Sequence, residues 1–290
     1  MPNILVTGSN GQLGNDLRII SNQYPDYKFI FTDVEELNIT DYQLLDKFFS
    51  ENKIDFVINC AAYTAVDKAE QDEVMARFIN VNAVKYLSQM CKKHNVFLIH
   101  ISTDYVFDGH SYKPYIESDS INPVSMYGKT KADGEQEVIH QAGNAIIIRT
   151  SWLYSSFGNN FVKTILKYGK ERGKLNVVFD QIGTPTYAAD LAKAILDIIP
   201  KLNKTRAHAI YHYSNEGVTS WYDFAKEIIE LSDINCIINA IETKDYPLPA
   251  TRPQYSILNK TKIKQEFNIT IPYWKDSLKR CLKLINEQNR

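Results

Sequence analysis

Five short apolar runs punctuate the first half of the chain, at residues 4–7, 28–32, 54–60, 96–101 and 145–149. Each is nearly uninterrupted and stops at small or polar residues. That is how parallel strands covered on both faces read, whereas half-exposed strands alternate apolar with polar positions. Between the runs lie segments with helical character: residues 16–21, a run to Phe49 with Thr40 or Asp41 as its N-cap, a long one from Asp72 to His94, and residues 125–140. Strand and helix therefore alternate up to residue 150, which predicts an α/β fold built on a doubly wound parallel sheet. Residues 108–123, with Gly109, Pro114 and Pro123 among polar side chains, predict a loop.

Past residue 150 the alternation weakens. Aromatic and polar residues mix over 152–161, and residues 180–186 predict another loop. Residues 190–199 and 221–231 predict amphipathic helices, and 210–213 a strand. The expected organisation is a dinucleotide-binding domain over residues 1–150, to which the chain returns within about 175–205, and a smaller lobe over 151–290 that mainly binds substrate.

The first strand runs into Gly8-Ser9-Asn10-Gly11-Gln12-Leu13-Gly14 and then a helix. Glycines in that context let backbone N–H groups approach a pyrophosphate at the positive end of the helix, although the spacing is G-x-x-G-x-x-G and not G-x-G-x-x-G. Asp33 follows the second strand, about 20 residues on, where a carboxylate accepts hydrogen bonds from an adenosine ribose and repels a 2′-phosphate. This favours NADH over NADPH. Small residues end the third strand at Ala61-Ala62-Tyr63-Thr64, leaving room for a ligand, and the fourth ends at Ser102-Thr103-Asp104-Tyr105.

The helix from Ser125 places Tyr127 and Lys131 on one face, four residues apart. A free phenol has a pKa of about 10. An adjacent ammonium, with a cofactor cation, is expected to draw it down towards about 7 and so activate it for proton transfer. Arg252 fits either a phosphate clamp or a surface ion pair.

Composition narrows the partners. The chain has 290 residues, 44% hydrophobic and 23% charged, with a net charge of −1. That balance gives no reason to expect nucleic acid or a membrane surface as a partner. No apolar stretch approaches the roughly 18 residues of a membrane span, and no signal peptide is read at the start. Cys60, Cys91, Cys236 and Cys281 are widely spaced and read as reduced, mostly buried thiols of a cytoplasmic protein.

Taken together, Gly8, Gly11 and Gly14, Thr103, and Tyr127-x-x-x-Lys131 resemble the extended short-chain dehydrogenase/reductases. Ala62-Tyr63-Thr64-Ala65-Val66-Asp67-Lys68-Ala69-Glu70, residues 102–109, Arg149-Thr150-Ser151-Trp152 and Arg252-Pro253-x-x-Ser256-x-Leu258 resemble, within them, the dTDP-4-dehydrorhamnose reductase family. The likeness runs from residue 3 to about 285. It implies a Rossmann-type doubly wound sheet with a C-terminal substrate-binding lobe. It also implies NAD(P)H-dependent reduction of dTDP-4-dehydro-L-rhamnose, with NADH or NADPH as cofactor and a small-molecule substrate as partner. Any protein partner would be a second copy of the chain in a homodimer. Gly11, Gln12 and Leu13 would line the pyrophosphate turn, Asn38 and Ile39 the adenine, and Ala62, Tyr63 and Thr64 the middle of the cofactor. Thr103, Tyr127 and Lys131 would be catalytic. Thr103, Asp104 and Trp152 would touch the sugar nucleotide, with Tyr105 and Arg252 completing its site. Some members bind magnesium through glutamates at a dimer interface; the matching positions here are Asp16 and Ala189, so no metal site is expected.

Two alternatives stay open. One is another sugar-nucleotide enzyme, an epimerase or a 4,6-dehydratase, although a dehydratase of this kind would have Asp-Glu after the threonine and here Asp104 precedes Tyr105. The other is a non-catalytic NAD(P)-binding regulatory subunit resembling the beta subunit of methionine adenosyltransferase, which fold alone does not exclude.

Overall fold

A computed structural model describes residues 1–202 and 208–288. In chain order, β1 (Asn3–Thr7), α1 (Gln12–Ile20), β2 (Lys28–Phe31), α2 (Tyr42–Glu51) and β3 (Phe56–Asn59) lead to the short helices α3 (Val66–Ala69) and α4 (Glu73–Arg77). Helix α5 (Val84–Lys93), β4 (Phe97–Thr103), α6 (Met126–Gln141) and β5 (Asn144–Thr150) complete the first half. Asp41 caps α2, accepting from the backbone N–H groups of Gln43 and Leu44. The helix expected from Asp72 to His94 is interrupted by a π-helical turn, Phe78–Ala83, between α4 and α5. Such turns widen a helix locally and are common where a side chain is aimed at a site.

The second half contributes β6 (Leu153–Tyr154), α7 (Phe161–Arg172), β7 (Lys174–Val178), β8 (Ile182–Gly183), β9 (Thr186–Tyr187), α8 (Ala188–Ile198) and β10 (Ala209–His212). It continues with β11 (Thr219–Ser220), α9 (Trp221–Leu231), β12 (Ile237–Ile241), α10 (Thr261–Phe267) and α11 (Trp274–Gln288). Among the described residues the main sheet has six strands in the order β10-β5-β4-β3-β1-β2, and all its pairings are parallel. The returning strand β10 pairs with β5, Ala209 opposite Ile146. Helix α8 packs on one face of this sheet and β10 lies a few residues beyond the 175–205 span, of which residues 203–205 lie outside the described ones.

Alternate residues of the same strands fill two cores, which is why the runs look continuous. Ile4, Val6, Ile58, Ile99 and Ile148 face α1 and α8. Leu5, Val57, Leu98 and Ile147 face α2, α5 and α6. A third core joins α7, α9 and α11 to β7 and β12 and belongs to the C-terminal lobe. Residues 252–258 tie that lobe back to the loop after β4: Tyr255 N donates to Gly109 O, and Tyr115 bridges to Leu258. No described helix is long and apolar enough to cross a membrane.

Candidate active site

Successive strands turn to opposite sides of β1, to β2 on one side and β3 on the other, and ligands of open α/β sheets bind at the carboxyl end of such a switch point. Gly8 there has φ +63°, and a Cβ on it would stand 2.6 Å from the backbone N of Ala61. A Cβ on Gly14 would meet Ser9 Cα at 2.5 Å. The backbone is thus drawn close to its neighbours, and no side chain caps α1, so its first N–H groups are left for an anion. Asp33 sits beside the turn, accepting from the backbone N–H of Asn10 and of Val34, each at 2.8 Å. A glycine cradle, an uncapped helix start and a carboxylate beside them together fit a nicotinamide dinucleotide.

These groups open onto a cavity of about 830 Å³. It is lined by Gly8, Gly11, Gln12, Leu13, Gly14, Asp33, Asn38, Ile39, Ala62 and Thr64 on one side, and by Thr103, Asp104, Tyr105, Tyr127, Lys131 and Trp152 on the other. Tyr63 does not line it. Its backbone N–H donates to Asn80 Oδ1 and its carbonyl accepts from Asn80 Nδ2, so the residue braces the loop. Asn80, in the π-helical turn, also donates to Thr130 Oγ1. Asn80 was not legible beforehand, since an asparagine inside a helical pattern gives no sign of what it braces.

A second cavity of about 1090 Å³ lies in the C-terminal lobe, with Phe161, Tyr168, Arg172, Trp221, Tyr246 and Arg252 in its wall. Tyr105 lines both cavities. Arg252 makes the ion pair that was one of its two readings: it grips Asp67 at 2.9 and 2.6 Å through both terminal nitrogens. That hydrogen-bonded guanidinium holds the Asp67 carboxyl below its usual range. The pair joins the stretch after β3 to the C-terminal lobe.

The candidate reacting groups come from β4 and α6. Ser125 caps α6, accepting from Gly128 N–H at 3.1 Å. Gly128 lets the helix seat against the turn after β4, because a Cβ there would come within 2.2 Å of Tyr105 O. Thr103 Oγ1 donates to Asp104 Oδ1 at 3.0 Å and accepts from Tyr105 N–H at 3.2 Å, and its hydroxyl works to lower the Tyr127 pKa. Lys131 Nζ donates to Ile101 O at 2.7 Å.

The expected lowering of the Tyr127 pKa is not what the chain's own groups produce. Although Tyr127 keeps some exposure, desolvation dominates and pushes the phenol up to about 12. Lys131, buried beside Cys60, is itself pulled down to about 8 by desolvation. A phenol that stays protonated near neutral pH is able to act as a proton donor.

Asp104, also buried, is raised from 3.8 to about 7 by desolvation, which outweighs the opposing hydrogen bonds from Thr103, Ser256 and the local backbone. Between those two values the folded chain binds more protons than the unfolded one, so this group's contribution to stability falls as pH rises from about 4 to about 7. Asp104→Asn, which cannot ionise, is therefore expected to raise thermal stability at pH 8 by on the order of 1–3 kcal/mol and to change it little at pH 4. Melting curves at the two pH values check this; equal shifts at both would remove the buried carboxylate as the cause.

Asp16 is buried on α1, where Ser155 Oγ donates to it at 2.6 Å, and desolvation raises it to about 6. Among the described residues no group of three or more His, Cys, Asp or Glu side chains is arranged to hold a metal ion.

The doubly wound sheet, the glycine turn and the Thr–Tyr–Lys set at the carboxyl ends of β4 and α6's first turns define a nicotinamide-dependent oxidoreductase on the extended short-chain dehydrogenase/reductase scaffold. The model of the RmlD substrate binding domain matches residues 2–287, and the chain belongs to that family. A dTDP-4-dehydrorhamnose reductase of Aggregatibacter actinomycetemcomitans is 41% identical over 288 residues, 96% of this chain and 98% of that one. A Clostridium acetobutylicum dTDP-4-dehydrorhamnose reductase structure superposes with a TM-score of 0.93 at 41% identity, covering 98% of this chain and 99% of that one. The Bacillus anthracis dTDP-4-dehydrorhamnose reductase in complex with NADP gives 0.93 at 36% identity, covering 98% and 100%.

Proposed function

We infer that the protein reduces the 4-keto group of dTDP-4-dehydro-L-rhamnose to give dTDP-L-rhamnose, in the cytoplasm, with NADH or NADPH as reductant. The observation that carries this reading is the convergence of Thr103, Tyr127 and Lys131 on a cavity that meets the glycine turn on one side and, across Tyr105, a second cavity on the other. Residues 1–150 with the returning α8 and β10 hold the cofactor, and the remaining C-terminal lobe holds the nucleotide of the substrate.

When bound, the dihydronicotinamide supplies the hydride. Tyr127 delivers its phenolic proton to the carbonyl oxygen as charge develops there, and Thr103 donates a second hydrogen bond to the same atom. Lys131 would hold the nicotinamide ribose, from a position set by its bond to Ile101 O. Asp104 and Trp152 bound the space for the sugar, and Arg252, held by Asp67, faces the nucleotide side.

Oxidation of NADH or NADPH, followed by absorbance with dTDP-4-dehydro-L-rhamnose made in situ, is expected to depend on the sugar. Cofactor binding without turnover would favour a regulatory subunit, and epimerisation without net oxidation would favour an epimerase. The placement of Asp33 supports NADH as the better reductant, since a carboxylate committed to Asn10 and Val34 N–H groups repels a 2′-phosphate. Asp33→Ser is expected to shift the NADH-to-NADPH ratio of kcat/KM towards NADPH by about 10-fold or more, roughly 1.4 kcal/mol. An unchanged ratio would move the discrimination elsewhere.

A further inference from the structure

We propose that Trp221 is a positioning residue of this reduction: stacked flat on Trp152, it holds that indole as the wall between the catalytic cavity and the second cavity. The inference rests on the reductase reading above.

Trp152 occupies an unusual backbone position. Its φ is +48°, in the left-handed region, where the other described non-glycine residues are Asn95, Asp233 and Asn268. Asparagine and aspartate tolerate that region through local hydrogen bonds, whereas a bulky indole does not. Such a conformation persists only where its surroundings over-determine it, and it recurs at functional sites. The surroundings here are two. The Trp221 ring lies 3.6 Å from the Trp152 ring between centroids, with only 8° between planes. Gly183 comes so close that a Cβ on it would stand 2.6 Å from the indole Cε2.

Trp221 is itself held firmly. It is the first residue of α9, whose start is locked by reciprocal hydrogen bonds between Ser220 and Asp223. Phe161 packs against its ring at 4.5 Å. Trp152 lines the catalytic cavity, while Trp221 and Phe161 line the second one. The stack therefore stands where the sugar and the nucleotide part of one substrate would meet. Its placement sets how the sugar is presented to Tyr127. Without Trp221 the Trp152 indole gains room to turn away, and the sugar loses its wall, while the glycine turn and Asp33 at the other side of the same cavity, which neither indole belongs to, keep their places.

The test compares the wild type with Trp221→Leu and Trp221→Phe. Indoles stacked at this separation couple as an exciton, with rotational strength where one ring is turned over the other in the plane, so the wild type is expected to give a couplet in far-ultraviolet circular dichroism that Trp221→Leu abolishes. With the couplet, KM for the keto-sugar nucleotide is expected to rise about 10-fold and kcat to fall. Affinity for NADH and for NADPH stays at the wild-type value, and Trp221→Phe recovers most of the KM loss. Loss of the couplet with unchanged KM and kcat overturns the proposal, as does a fall in NADPH affinity parallel to the rise in KM, which would mean general damage. A wild type that turns over no nucleotide sugar removes the reductase reading, and the proposal with it. A working wild type with an indifferent variant removes the proposal alone.

Discussion

Tyr127→Phe is expected to lower kcat about 10²- to 10⁴-fold while leaving cofactor affinity close to that of the wild type. The substitution removes one hydroxyl and keeps the ring, which packs edge-on to Tyr105 at 5.4 Å. The loss is therefore that of the proton donor and not of the cavity wall. With the phenol held protonated up to about 12, the wild-type acid is present at every pH below that, and the alkaline fall in activity is expected to follow Lys131, near 8 in the free protein. Deprotonation of Lys131 weakens its hold on the ribose, so KM for the cofactor rises above that pH while the acid itself persists. Single-turnover rates with saturating cofactor separate the two effects. Near-wild-type turnover in Tyr127→Phe would take Tyr127 out of the mechanism.

The largest effect on stability is expected behind the site. Glu135 lies on α6 one turn beyond Lys131 and is fully buried, as is Arg149 on β5. Arg149 Nε and Nη2 donate to the two carboxylate oxygens at 2.9 and 2.7 Å, and Ser102 Oγ donates to Oε1 at 2.5 Å. Arg149 Nη1 has no hydrogen-bond partner, so the guanidinium depends on this one carboxylate. Glu135→Ala leaves a buried, unpaired cation and is expected to cost about 3–5 kcal/mol, a fall in Tm of roughly 10 °C for a chain of this size. Glu135→Leu combined with Arg149→Met is expected to be less destabilising than either single change, because the uncompensated charge is gone. Additive losses in that cycle would mean that the pair contributes by packing alone.

The same network touches the chemistry, since Ser102 precedes Thr103 and the Glu135 charge acts against the desolvation that lowers Lys131. Its position was implicit in the sequence, four residues after Lys131 on the same helical face. Nothing in a glutamate at that spacing says whether it faces solvent or a buried arginine 14 residues away across a strand.

Legibility followed the range of the forces involved. The five early strands, the glycine turn, the Asp41 cap and the span of α9 could be read from residues near one another in sequence. Their causes are local: periodicity, backbone freedom at glycine, and a side chain bonding an N–H two or three residues on. The π-helical turn at Phe78–Ala83 was missed because one widened turn spans too few residues to stand out in the apolar pattern of a long helix, and it is braced by Asn80 bonding Tyr63 and Thr130, contacts far off in sequence. The pairing of β7 with β12 joins segments about 60 residues apart and was equally hidden. The resemblance puts Tyr63 at the middle of the cofactor, and nothing near it in sequence announces that its backbone N–H and carbonyl are braced by Asn80.

By itself the sequence determined the alternating α/β architecture, the glycine turn after β1 and the presence of a phenol and an ammonium on one helical face. Only the tertiary structure decided the electrostatics of those groups. Spacing predicts that a lysine four residues away lowers a tyrosine pKa; burial of both side chains sends Tyr127 up and Lys131 down, because desolvation is set by everything that packs around a group and not by its neighbours in the chain. The same holds for Arg252, whose choice of Asp67, 185 residues distant, exists only once the C-terminal lobe closes over the first half.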